Sequence, residues 1–126
     1  MNRFEHNRTT VVKSAFDFTG RKEKTQLKGN VEISGTTGTP KDPEQNKTVR
    51  CMVEVKVHSE DDSFQIYLKT ISEFTIKRLE SAEKLVTDAK DICLRQAVEM
   101  LSEKLDQLFS IHVGYEAHIP ILPFSE

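Results

Sequence analysis

Four histidines, two cysteines and one cluster of carboxylates are the side chains of this 126-residue chain whose types could do chemistry. His6, His58, His112 and His118 are scattered, and none forms the i, i+4 pair of a helical zinc site. Cys51 and Cys93 have no metal-ligand spacing. A nucleophilic Cys93 would need a neighbouring base and a lowered pKa. It falls instead among apolar residues of a helical stretch, as a small buried hydrophobe would. Glu60-Asp61-Asp62 is too compact for a calcium loop, whose ligands spread over about 12 residues. Gly35 to Lys41 (GTTGTPK) lacks the spacing of a phosphate-binding loop and no helix follows it. No alternation of basic and aromatic residues suits base stacking. These readings point away from an enzyme, a metal, a cofactor and nucleic acid.

The elements that would position these groups are written in the apolar patterning. Ser81 to Ser110 is one long amphipathic stretch. On an ideal helical wheel, Ala82, Leu85, Val86 and Ala89 form one stripe. Leu94, Ala97, Val98, Leu101, Leu105, Leu108 and Phe109 form a second, roughly 100° further round. The combined arc is wider than one core needs. The wheel therefore predicts one helix, capped by Ser81, that serves its own sheet and something else. Leu94, Val98, Leu101, Leu105 and Leu108 are the expected oligomer interface or client groove. On that view Leu101→Glu should abolish assembly and leave the sheet intact.

The strands precede the helix. Thr9 to Thr19 reads as a strand with Val12, Ser14, Phe16 and Phe18 on one face, after a polar, frayed 1–8. Gly20 to Lys24 is a turn candidate, and Leu27 to Ser34 a weaker strand. Gly35 to Lys47, with no large apolar residue, reads as an exposed, mobile loop. Val49 to Val57 and Phe64 to Ile76 alternate without fault and form a hairpin about the polar turn His58–Ser63. Symmetric folding pairs Val57 with Phe64, Val55 with Ile66, Val53 with Leu68 and Cys51 with Thr70, inward against inward. Past Gly114, the tail Tyr115 to Glu126 is extended because Pro120 and Pro123 cannot propagate a helix.

Composition is that of one globular domain over residues 1–126, 37% apolar and 30% charged, with net charge −2. Residues 1–56 carry 11 Lys+Arg against 7 Asp+Glu, and residues 57–126 carry 7 against 13. No apolar run approaches the ~20 residues of a membrane span, and the first residues lack a leader's apolar core. Two isolated cysteines fit the reducing cytoplasm.

Phe74-Thr75-Ile76 closing the long hairpin, Cys93 within the helix, and Gly114 followed by Ile119-Pro120-Ile121-Leu122-Pro123-Phe124 resemble the SecB-like family of protein-export chaperones and their small relatives. Cys93 is followed here by Leu94-Arg95-Gln96-Ala97, where the family tends to place Pro. This departure favours a small relative over the export chaperone itself. The resemblance implies an α+β fold: a four-stranded antiparallel sheet, one long C-terminal helix on one face, and an extended tail. It also implies self-association as a dimer or dimer of dimers. The expected function is non-enzymatic, chaperone-like holding of extended or unfolded polypeptide in apolar grooves of the oligomer. The alternative is a small oligomeric interaction protein for one specific folded partner.

Overall fold

The computed structural model describes residues 3–17, 29–59, 64–78 and 81–113. Four strands, β1 (Phe4–Asp17), β2 (Gly29–Gly38), β3 (Thr48–Ser59) and β4 (Gln65–Ile76), form one antiparallel sheet in the order β1-β4-β3-β2. The helix follows: α1 (Ala82–Asp88), a π-helical turn (Ala89–Leu94) and α2 (Arg95–Val113). Asp88, Ala89 and Arg95 all keep right-handed helical backbone angles, so the three parts run on without a break. The Ser81 side chain accepts from the Lys84 amide at 3.1 Å and starts the helix. The fold is the expected α+β arrangement. The expected tail, the turn at residues 20–24, Phe18 and the tip of the β3–β4 hairpin lie outside the described residues.

The core lies between helix and sheet. Val49, Cys51, Val53, Val55 and Val57 of β3 and Ile66, Leu68, Phe74 and Ile76 of β4 are buried. So are Leu85, Ala89, Cys93, Leu94, Ala97, Val98, Leu101, Leu105 and Phe109 of the helix. The alternation read from β3 and β4 therefore holds, but the register differs from the symmetric expectation by two residues. Val57 pairs with Ile66, Val55 with Leu68, Val53 with Thr70 and Cys51 with Ser72. A shift of two keeps every side chain on its own face, so apolar patterning cannot distinguish the two registers.

Two strand boundaries and the facing of one strand are corrected. Residues 4–8 are part of β1, with Phe4 buried opposite Ile76. Two irregularities, between His6 and Arg8 and between Val11 and Lys13, reset the alternation of β1. Val11 rather than Val12 therefore stands opposite Thr70, and Val12 is exposed. β2 runs four residues further than expected, because Thr36 and Thr37 continue the ladder opposite Met52 and Cys51. The remaining connection is a hydrogen-bonded turn. The Asp42 carbonyl accepts from the Gln45 and Asn46 amides, and the side chains of Asp42 and Asn46 cap the Glu44 and Thr48 amides.

The inner face carries a few polar groups. His6 packs on Phe74 with ring centroids 5.3 Å apart and meets the Thr9 hydroxyl at 2.7 Å, which in turn meets Ser72 at 2.7 Å. Thr70 is fully buried and its hydroxyl has no hydrogen-bond partner. A buried hydroxyl without a partner costs about 1–3 kcal/mol. Thr70→Val should therefore stabilise the protein by about 1 kcal/mol. A rise of a few degrees in the melting temperature is the expected readout; a fall would mean that the hydroxyl is bonded in solution.

Candidate polypeptide-binding surface

The helix packs on the sheet through the residues expected to face a second chain. Leu94 and Val98 are buried, Leu101 and Leu105 fully so, and Leu108 is half-buried against the core. The expectation that these five side chains have no home in one protomer is corrected by this packing. The physical reason is the π turn at Ala89–Leu94. A π turn closes on i→i+5 and so takes in one residue more than an α turn. One extra residue rotates everything downstream by about 100° relative to an ideal wheel. That rotation equals the offset between the two stripes, and it brings Leu85 and Ala89 of the first onto the sheet with Leu94, Ala97, Val98, Leu101, Leu105 and Phe109 of the second. Arg3, immediately before β1, pairs with Asp88 just before the π turn and ties the helix to the start of the first strand.

The cysteines meet in this core. Both are fully buried free thiols. Burial pushes Cys51 up to about 11, offset in part by the Thr37 hydroxyl. Burial and then the neighbouring Cys51 push Cys93 to about 12. Both stay protonated at neutral pH, as packing groups do. Among the described residues no group of three or more His, Cys, Asp or Glu is placed to hold a metal ion. None of the described helices is long and apolar enough to cross a membrane.

Surface remains in three places. On the helix, Val86 (58%), Ile92 (42%) and Ile111 (75%) are exposed. On the outer face of the sheet, charges pair across strands. Arg8 and Arg50 flank Glu73, and hydrogen bonding to Arg8 holds that carboxyl below the usual carboxylate range. Tyr67 donates to Glu54 at 2.7 Å and lowers it likewise, while the same bond raises the phenol. A groove of about 650 Å³ lies on this face, with Asp17, Glu32, Lys56 and Tyr67 among its lining. Its walls carry mixed charge, which suits a solvated face.

The third place is the two sheet edges, and they differ. β1 has 14 residues, two irregularities, and Arg8 and Lys13 along its length. Bulges and cations of this kind are how edge strands discourage pairing. β2 has 10 residues, GNVEISGTTG, with no irregularity in its pairing to β3, no Lys, Arg or Pro, and a single charge at Glu32. Val31 on its inner row is 37% exposed. Among the described residues no strand lies beyond it. At ~3.3 Å per residue it offers roughly 33 Å of unpaired backbone donors and acceptors. Sequence reading missed this edge because strand order is not written in apolar alternation; the low charge of Val31–Gly38 was the available signal.

A four-stranded antiparallel sheet in this order, with one long helix laid on its inner face, is the SecB-like fold. The SecB-like chaperone Rv1957 of Mycobacterium tuberculosis, solved in complex with a ChAD peptide from the Rv1956 HigA1 antitoxin, is similar with a TM-score of 0.73 and 12% identity. The match covers 95% of this chain and 91% of that one. A protein of unknown function from Streptococcus agalactiae has a TM-score of 0.48 at 12% identity, over 94% of this chain and 97% of that one. No family model and no curated protein matches the sequence. At 12% identity the likeness to the SecB-like chaperone is one of fold.

Proposed function

We propose that this protein is a non-enzymatic, chaperone-like binder of extended polypeptide, and that the free edge of β2 is where the polypeptide pairs. The observation that carries the reading is the contrast between the two edges: β1 is guarded and β2 is not. An extended segment added to such an edge gains main-chain hydrogen bonds whatever its sequence, which suits the holding of unfolded chains. The SecB-like neighbour, solved with a peptide, supports the polypeptide-binding part of this reading.

Self-association as a dimer or dimer of dimers belongs to this proposal. Leu94, Val98, Leu101 and Leu105 hold the helix to its own sheet, so of the expected five only Leu108 keeps surface that a partner chain could reach. Exposed Ile92 and Ile111 would serve beside it. Molecular mass by light scattering tests this part; a compact monomer removes the oligomer and leaves the edge.

The edge is tested with reduced, carboxymethylated α-lactalbumin as a permanently unfolded chain. Wild type is expected to bind it. Val31→Lys supplies the missing edge cation and should weaken binding roughly tenfold or more, at a stability cost within about 0.5 kcal/mol. No binding by wild type removes the chaperone-like reading. Undiminished binding by the variant, with unchanged circular dichroism, moves the site away from β2.

A further inference from the structure

Cations outnumber carboxylates in the first part of the chain, 11 Lys+Arg against 7 Asp+Glu over residues 1–56, and the β2 edge uses none of that surplus. The sheet gathers part of it on its outer face, where register lines side chains up in rows across the strands. One row runs Thr10, Ile71, Met52, Thr36 from β1 to β2 and carries no charge. Ile71 is half-buried and Met52 exposed. The rows two residues to either side are cationic. On one side Arg8 and Arg50 share the carboxylate of Glu73. On the other, Lys13 and Lys69 stand directly opposite one another. The next residue of that row, Glu54, already accepts from the Tyr67 and Ser34 hydroxyls.

We infer that this apolar strip docks an acidic amphipathic helix of a partner protein, laid across the strands with its apolar stripe on Ile71 and Met52 and carboxylates on both flanks. Like charges directly opposed on two strands weaken a sheet. Lys13 is compensated in part over the Tyr67 ring, 5.5 Å from its centroid. The two rows together still set four cations against two carboxylates. The surplus fixes the sign of the partner. The uncharged strip between the rows fixes its shape, because a bare polyanion such as a phosphate backbone has nothing to lay on Ile71 and Met52.

The dimensions agree. Along β3 and β4 the cationic rows are separated by the four residues from Arg50 to Glu54 and from Lys69 to Glu73, about 13 Å. A helix with its side chains is about 10–12 Å across and fills that width. Arg8 and Arg50 lie two strands apart, about 10 Å, close to the roughly 10.5 Å rise of seven helical residues. Lys13 and Lys69 lie on adjacent strands, about 5 Å apart, which three or four helical residues span. Carboxylates at i and i+7 on one flank and at i and i+3 on the other meet all four cations. The site is on the outer face, so it stands independently of pairing at the β2 backbone.

The experiment uses a labelled fourteen-residue helical peptide with central leucines at i and i+4 and glutamates on both flanks. One control carries Gln for Glu, and a second carries Ser for Leu. Fluorescence anisotropy in low salt should show the first peptide binding wild type roughly tenfold tighter than either control, and added salt should weaken it. Arg8→Gln with Lys13→Gln, both exposed on β1, should cost roughly tenfold, as should Met52→Glu. Lys90→Gln removes an exposed cation from the helix, on the other face of the sheet, and should change nothing. Val31→Lys should also leave this binding intact, so the face and the edge are tested separately. Binding of the Gln or Ser peptide as tight as that of the first overturns the proposal. So does equal loss from Lys90→Gln, or tighter binding of an oligothymidylate of the same charge, which would assign these cations to nucleic acid.

Discussion

Leu101→Glu is expected to unfold the protein. Leu101 is fully buried between α2 and the sheet, within the single core cluster that joins helix to strands. Truncating a buried leucine to alanine alone costs about 2.7–5 kcal/mol. A carboxylate in the same place adds an unpaired buried charge, or the cost of protonating it. The sum approaches or exceeds the roughly 5–15 kcal/mol that holds a domain of this size together. Loss of the helical and strand circular dichroism together, at room temperature, is the expected result. The opposite outcome, a folded protein that merely fails to assemble, would mean that the stripe faces outward in solution.

The second large effect is a contrast between two deletions. Asp91 lies in the π turn and Glu99 in α2, and both side chains are exposed. Replacing either by alanine should change stability by no more than about 0.5 kcal/mol. Deleting them should not be equivalent. Removal of Asp91 takes out the extra residue of the π turn, so a regular α-helix then carries both stripes in phase. That variant should fold and melt within a few degrees of wild type. Removal of Glu99 rotates Leu101, Leu105 and Phe109 by about 100° away from the sheet. Each of these is buried at about 1.5–3 kcal/mol relative to exposure, so this variant should not fold. Urea denaturation of the pair decides the matter: equal damage from both deletions would deny the π turn its role as a phase corrector.

Much of the architecture was legible. Every second residue from Val49 to Val57 is apolar, and every one is buried. The helix start at Ser81, with a hydroxyl placed to cap a backbone amide, was equally plain. The hairpin register was half legible. Alternation fixed which face each side chain takes and left the shift of two open, since parity is all that a period of two can encode. β1 was misread around Val12 because irregularities in pairing leave no mark in hydropathy. The reach of β2 past Ser34 was missed because Gly35 and Gly38 read as loop, although the partner strand supplies the ladder they need.

The candidate site divides in the same way. The amino-acid order alone determined that the chain has four amphipathic strands and one helix with two apolar stripes, because burial of a face demands a period and a period is local. It could not determine where those stripes point. That was decided by a single π turn at Ala89–Leu94, whose one additional residue shifts the phase of everything after it. The free edge is likewise a property of the assembled sheet. Among the described residues β2 is an edge because β4 and β3 occupy the centre, and the order of strands follows from which pairings bury the most apolar surface together, a sum no local window contains.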